Sequence, residues 1–318
     1  MDPLADVFGL LDVQSAKFAR LEASAPWGVS FSGYQHVKLG AVLQGACTIS
    51  VDGVPGTRDL MAGDCYLLGN GRPYRLASSA EVRPTPSAEI FSRFVEGGTV
   101  RIGAGADTVI VGCGFQFDTA NAAVLADVLP PIVHVPTDSE HAGAIRAALD
   151  LLRYETASPG LATSLVTERL AHILLVQVLR AHIAAQKPAG GVWLTALADP
   201  LIGNALTLVH ESPAHRWTVA ELAAKVGMSR SHFAARFAEL VGTPPLEYVA
   251  QWRIRSAAHD LRRGKKTVAS IASAWGYGSE SAFSHAFKRA MGVSPGRYRA
   301  ASRETAPPAA GDEALRSL

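Results

Sequence analysis

Cysteine is scarce in this chain. Three occur in 318 residues (Cys47, Cys65 and Cys113), at no metal-like spacing, which excludes a zinc finger and a disulfide-stapled scaffold. Long apolar runs are missing too. None approaches the roughly 20 residues that cross a bilayer, so no membrane partner is expected. The opening Met1-Asp2-Pro3-Leu4-Ala5-Asp6 is acidic where a secretion signal is basic, and no apolar stretch follows it. Only 18% of residues are charged while 48% are hydrophobic, a balance that supplies packed cores and excludes disorder over most of the length. The expectation is a cytoplasmic protein of two or three domains, at about 150 residues per domain.

A net charge of +2 hides an asymmetry. Residues 210–303 hold 15 Lys and Arg against 6 Asp and Glu, and the remainder holds 15 against 22. A basic block after an acidic one points to a polyanion as the partner of the C-terminal third alone. A solvated helical surface is the lesser alternative that charge by itself leaves open.

Residues 29–117 read as short strands. Ala46-Cys47-Thr48-Ile49-Ser50-Val51 alternates, and Asp52-Gly53, Gly63-Asp64 and Asn70-Gly71 are turn signals. Val109, Val111, Cys113, Phe115 and Phe117 share one face of a further strand. This punctuation predicts a small barrel or jelly roll. From about residue 139 the period becomes helical, with Ile145, Leu149 and Leu152 in step. Ser158-Pro159 then reads as the cap and first turn of a helix reaching about residue 185. Its apolar positions (Leu161, Leu165, Leu170, Ile173, Leu174, Val178) cover more than one face, which predicts packing on its own domain, on a second copy of the chain, or on both. A homodimer held mainly by residues 160–185 is expected, with Leu174 as the position that separates interface from core. Lys187-Pro188-Ala189-Gly190-Gly191 reads as a linker, and the Pro- and Ala-rich tail as disordered.

The C-terminal third contains a repeat. Leu222-Ala223 and Gly227 recur 49 residues later as Ile271-Ala272 and Gly276. Phe233, Phe237, Gly242, Pro245 and Tyr248 recur 50 residues later as Phe283, Phe287, Gly292, Pro295 and Tyr298. Each unit reads helix–turn–helix. Thr218-Val219-Ala220-Glu221 has the capping-box pattern, Gly227 suits a left-handed helix end, and Ser229 and Ser279 are caps for the second helices. With the phenylalanines buried, Arg230, Ser231, His232, Ala235 and Arg236 stand on the solvent face of one helix. Glu280, Ser281, Ser284, His285, Lys288 and Arg289 stand on the other. A helix of about 247–261 joins the units, long enough to set two readers near one turn of B-DNA apart.

The stretch Ile271-Ala272 … Trp275-Gly276-Tyr277 … Ser281-Ala282-Phe283-Ser284-His285-Ala286-Phe287-Lys288-Arg289 … Gly292-Val293-Ser294-Pro295-Gly296-Arg297-Tyr298-Arg299 resembles the tandem helix-turn-helix domain of AraC/XylS-type bacterial transcription regulators. Asp2-Pro3-Leu4, Pro26-Trp27, Val51-Asp52-Gly53, Ala62-Gly63-Asp64 and Gly71-Arg72-Pro73 resemble the cupin-like signal domain of one subgroup. The resemblance implies an α+β multidomain chain. Residues 1–186 would form a cupin-like β-barrel with a helical dimerisation segment, 187–209 a linker, 210–300 an all-α tandem helix-turn-helix domain, and 301–318 a disordered tail. It implies a sequence-specific DNA-binding regulator of transcription, associated with the nucleoid, with double-stranded DNA, a second copy of itself, a small-molecule effector and RNA polymerase as partners. Ser231, Ala234 and Ala235, with Ser281, Ser284 and His285, match positions that face base edges in the family. Many relatives carry arginine at the position of Ala235, so a bidentate contact to guanine is lost there, although alanine can touch a thymine methyl. Arg230, Arg236, Lys288, Arg289 and Arg297 would be largely phosphate or positioning contacts. Ser229 and Ser279 would lie at the DNA as well, and His232 would join Ser231 and Ala235 in the first reading set, with a backbone contact as its alternative.

Cupin barrels often hold a metal through a His-x-His, Glu, His set. Here His36 is followed by Lys38, Val42 takes the acidic position and Tyr74 replaces the last histidine. A lysine ammonium donates rather than ligates, so no metal, cofactor or cupin enzyme activity is expected, and an enzyme fused to a DNA anchor is the minor reading. His36 and Lys38, two apart on one strand, would instead line an effector pocket with Tyr74. A buried lysine wants an acidic partner, which hints at an anionic effector. A thiol-based redox or electrophile sensor is the alternative. Cys47 and Cys113 fall on apolar strand faces, which predicts inert thiols, and Cys65 is left open. His210, His215 and His259 are expected at the surface, and Trp217, Trp252 and Trp275 in the core.

Overall fold

The structure, a computed structural model, describes residues 15–34, 37–92, 98–116, 129–139, 142–185, 196–264 and 266–304. They divide into a β-rich unit and an all-helical unit that meet in sequence at Lys187 and Pro188. His36, residues 187–195 of the expected linker and most of the expected tail lie outside the described residues.

The β-rich unit holds β1 (Ser15–Ala23), β2 (Gly28–Phe31), β3 (Val37–Gln44), β4 (Ala46–Val51), β5 (Arg58–Met61), β6 (Cys65–Leu68), β7 (Tyr74–Ala77), β8 (Thr85–Pro86), β9 (Thr99–Ile102), β10 (Thr108–Gln116) and β11 (Val133–Val135). They form a six-stranded sheet, β11-β6-β3-β10-β1-β9, and a five-stranded one, β5-β4-β7-β2-β8. One core lies between the sheets. Leu21, Val42, Tyr66 and Ile110 come from the first sheet, and Val29, Ile49, Leu60 and Leu76 from the second, as the two-residue period of a strand requires. The turns fall where glycine supplies positive φ, at Gly53, Gly63 and Gly71. The Gly63–Asp64 turn is pinned by a buried carboxylate. Asp64 accepts the backbone N–H of Met61 at 3.0 Å and of Thr137 at 2.8 Å, and pairs with His134 Nε2 at 3.0 Å.

A short helix α1 (Ser87–Ile90) follows β8, and α2 (Ala142–Ala157) and α3 (Thr163–Ala185) come after β11. Both of these longer helices pack on the outer face of the six-stranded sheet. There the Phe115 ring meets His172, Arg20 reaches Thr156, and Arg153 donates to the Leu43 carbonyl. Ser158-Pro159 does not cap α3. The helix opens at Thr163, whose Oγ1 accepts the Gly160 N–H at 2.8 Å. The broad apolar surface read onto α3 and the turn before it resolves into two parts. Leu170, Leu174, Leu175 and Val178 are buried, whereas Leu161, Leu165 and Ile173 are exposed. Leu174 is a residue of the intramolecular core and not of an interface.

The helical unit comprises α4 (Pro200–Glu211), α5 (Val219–Lys225), α6 (Arg230–Val241), α7 (Pro245–Arg263), α8 (Val268–Ala274), α9 (Glu280–Met291) and α10 (Pro295–Glu304). Two ranges expected from sequence shift. The second half of the stretch read as linker, 187–209, contains most of α4, and α10 runs to Glu304 instead of ending at 300. The joining helix α7 has 19 residues, longer than expected by two at each end.

Full burial of Leu174 makes a volume test direct. Leu174→Ala should lower the unfolding free energy of the β-rich unit by about 2–5 kcal/mol, read by urea unfolding monitored through that unit. A change under 1 kcal/mol would contradict the packing described for α3.

Candidate nucleic-acid interface and barrel cavity

Each helix-turn-helix is built by the same local chemistry. Thr218 Oγ1 accepts the Glu221 N–H at 3.1 Å, and Thr267 Oγ1 the Ser270 N–H at 3.1 Å, so α5 and α8 start alike. Gly227 and Gly276 have φ of 70° and 79° at the turns. Ser229 Oγ accepts the His232 N–H at 3.4 Å and Ser279 Oγ the Ala282 N–H at 3.1 Å, opening α6 and α9. Both second helices close on a left-handed glycine, Gly242 and Gly292. The capping box at Thr218 is only half made: Glu221 does not turn back on Thr218 but pairs with His215 Nε2 at 2.8 Å.

Burial of Phe233 and Phe237 in α6, and of Phe283 and Phe287 in α9, fixes which side faces water. Ser229, Arg230, Ser231, His232 and Ala235 are exposed on α6, with Ala234 half-buried. Ser279, Ser281, His285, Lys288 and Arg289 are exposed on α9, with Ser284 half-buried, and Arg297 is exposed on α10. The two cap serines use a lone pair on the helix and keep a hydroxyl proton for an acceptor beyond it.

Arg236 departs from the expectation. It sits at the edge of the buried stripe of α6, and its guanidinium is bound to Asp199 Oδ2. Asp199 is the N-cap of α4, and only 1% of its side chain is exposed. Its Oδ1 accepts the N–H of Leu201 at 3.0 Å and of Ile202 at 2.9 Å. Burial pushes the carboxyl up, but these hydrogen bonds and Arg236 outweigh it and hold the acid below the ordinary aspartate value. Arg236 therefore ties the second helix of the first unit to α4, and is not a free phosphate contact. At the other end of α4, His210 is buried instead of exposed. Its Nε2 lies 2.7 Å from the Tyr248 hydroxyl and its ring stacks on Trp252 at 3.7 Å. Burial drives its pKa down to about 3, so it stays neutral. His215 is exposed and His259 half-buried, whereas Trp252 is core and Trp217 and Trp275 are half-buried.

The β-rich unit encloses a cavity of about 510 Å³ lined by Lys38, Tyr66, Tyr74 and otherwise mostly apolar side chains. Lys38 Nζ lies 5.3, 4.9 and 5.3 Å from the ring centres of Phe31, Tyr34 and Tyr74. Phe31 and Tyr74 stack at 4.4 Å. Among the described residues Lys38 has no hydrogen bond and no ion pair, and burial lowers its pKa. The floor is made of small residues in register: Ala19 pairs with Gly112, and Gly112 with Gly40. The ring of Tyr66 lies over Gly40, where a Cβ would come within 2.1 Å of it. Cys47, Cys65 and Cys113 are all buried, and no disulfide joins them. Burial and the nearby Asp64 carboxylate raise the Cys47 and Cys65 thiols to about 12, the opposite of a reactive thiolate.

A cupin family model matches residues 2–184 and a helix-turn-helix family model residues 222–301. Over 299 residues the chain is 46% identical to a Streptomyces antibioticus protein named for its likeness to AraC-type transcription regulators, across 94% of this chain and 98% of that one. The chain belongs to the AraC-like transcription regulators. A protein of Streptomyces lividans with the same name is 47% identical to this AraC-like regulator, over the same shares of the two chains. The DNA-binding domain of AdpA, solved with a target DNA, is 33% identical over 34% of the regulator and 97% of that chain, at a TM-score of 0.33. Among the regulator's described residues no helix is long and apolar enough to cross a membrane, and no three His, Cys, Asp or Glu gather as a metal would need.

Sequence reasoning on the regulator missed Asp199, Tyr66 and the small-residue floor. Asp199-Pro200 is a readable cap signal, but it fell inside the supposed linker. The Asp199–Arg236 contact makes a testable distinction. Arg236→Ala should lower the stability of the helical unit by about 1–3 kcal/mol at neutral pH, a figure already modest because the guanidinium is partly exposed and screened. A carboxyl held below its ordinary value stabilises above that value and loses the effect as pH falls through the lowered one. The difference between wild type and variant should therefore shrink in acid, as thermal melts across that range would show. An equal gap at every pH would mean that the pair contributes nothing.

Proposed function

We propose that this regulator binds duplex DNA as a homodimer in the cytoplasm, each chain laying α6 and α9 into successive major grooves, with a small molecule in the barrel cavity setting the DNA-bound state. The observation that carries the reading is the pair of matched, capped helices whose outer faces hold different polar sets. Ser231, His232 and Ala235 face outward on one, and Ser281, Ser284 and His285 on the other. The 19 residues of α7 span about 28 Å, near the ~34 Å turn of B-DNA. Arg230, Lys288, Arg289 and Arg297 supply phosphate contacts, and the hydroxyls of Ser229 and Ser279 add donors at the helix starts. RNA polymerase is the partner that such binding recruits or excludes. No catalytic step enters this scheme.

The dimer rests on a different surface from the buried Leu174. Leu151 and Tyr154 of α2, Leu161 in the turn, and Leu165 and Ile173 of α3 are exposed large hydrophobics on neighbouring helices, an apolar concentration that marks an interaction face. A double change, Leu165→Glu with Ile173→Glu, should leave the fold intact and give monomers by light scattering. Folded variants that remain dimeric would place the interface elsewhere.

The DNA reading is checked on the full chain by selection from random duplexes and by salt titration. His285→Ala should relax the preferred base at one or two positions, by about 1–3 kcal/mol per pair. Lys288→Ala should weaken binding to all sequences alike and reduce the salt slope by about 1. An unchanged selected motif for His285→Ala would show that α9 reads with other residues.

A further inference from the structure

We propose that the cavity takes an organic acid with an apolar body, its carboxylate seated on Lys38 and its chain lying over the floor at Gly112 and Gly114. This rests on the reading that the cavity holds the regulatory small molecule, and names its chemical class.

The head of the site is a set of unfilled donors. The three N–H bonds of Lys38 have no acceptor among the described residues, since the rings of Phe31, Tyr34 and Tyr74 offer only their faces. The hydroxyls of Tyr66 and Tyr74 line the same cavity and likewise make no hydrogen bond to a described residue, although each could donate one. Lys38 is half-buried, and a charge drawn partly out of water without a counter-ion is costly, as is a shielded donor left unmade. A carboxylate answers both deficits at once: it carries the missing negative charge and accepts from ammonium and phenol together. A neutral alcohol would fill one donor and leave the charge unpaired, and an amine would add repulsion.

The body of the site is space that the sequence keeps open. Gly112 and Gly114 alternate onto the cavity side of β10, and a Cβ built on either meets no atom within 4 Å. Neither has the positive φ that would require glycine. Turn geometry therefore does not explain them, whereas a hollow between the sheets does. At about 510 Å³ the hollow falls within the roughly 300–1,000 Å³ usual for small-molecule sites.

The test is calorimetric titration of the full-length protein with decanoate, decanol and decylamine, and with 4-phenylbutyrate against 4-phenylbutanol. Each acid should bind at least tenfold more tightly than its alcohol, and decylamine should be the weakest of its set. Lys38→Met, which removes a half-buried charge that has no counter-ion among the described residues and should fold at least as well, is expected to erase the preference, leaving acid and alcohol equal. Gly112→Leu sends a side chain into the hollow from a position where a Cβ meets no atom within 4 Å, and should abolish binding of every probe while leaving the melting temperature unchanged or higher. Equal affinity of acid and alcohol for the wild type, with both lost in Gly112→Leu, would overturn the acid while keeping the cavity as a ligand site. Binding that survives Gly112→Leu, or no binding of any probe, would overturn the acid and the cavity reading together.

Discussion

Two phenylalanines four residues apart, Phe233 with Phe237 and Phe283 with Phe287, set what the DNA-binding half of the molecule can present. Once both rings of a pair are buried, the rotation of that helix about its axis is fixed, and so is the identity of every outward residue. The serine cap fixes where the helix begins and the left-handed glycine where it ends, so the reader has a defined length as well as a defined face. The rings also touch the next elements. Phe237 meets Tyr248 edge-on at the start of α7, and Phe287 meets Tyr298 in the same manner on α10. The orientation of each reader is thereby passed to the helix that follows it.

Much of this was legible because it is local. A cap, an apolar pair at i and i+4, and a terminal glycine lie within about a dozen residues, and their repetition at 49–50 residues made the unit visible. The strand β4 and the glycine turns were readable for the same reason. β1 was not, because Phe18 faces the helical layer while Leu21 faces the other sheet. Burial on both faces removes the alternation that advertises a strand. Contacts between distant residues were also hidden. Arg236 and Asp199 are 37 residues apart, and His210 and Tyr248 are 38 apart; composition gave no reason to pair them. A surface assignment is the default for an isolated histidine or arginine, and in these two cases tertiary packing overrode it.

The barrel shows the same division. Lys38 and Tyr74 were brought to one cavity as expected, while His36 lies outside the described residues. The cavity's shape depended on register across three strands, which fixes Ala19, Gly112 and Gly40 in one row and sets Tyr66 above the last of them. A single strand cannot reveal that row. Nor could sequence show that Lys38 would be ringed by aromatic faces, an environment that tolerates its charge without satisfying its hydrogen bonds.

That row of small residues also bears on how such a regulator changes over generations. Because Gly112 and Gly114 project toward empty space from a central, fully paired strand, a point change at either alters the volume and outline of the hollow while leaving every ladder hydrogen bond in place. No residue on the outer faces of α6 and α9 is altered by such a change. On the proposed reading of the cavity, the chemistry it admits can therefore drift in single steps while α6 and α9 stay constant, so that duplicated copies of the gene come to answer different chemicals.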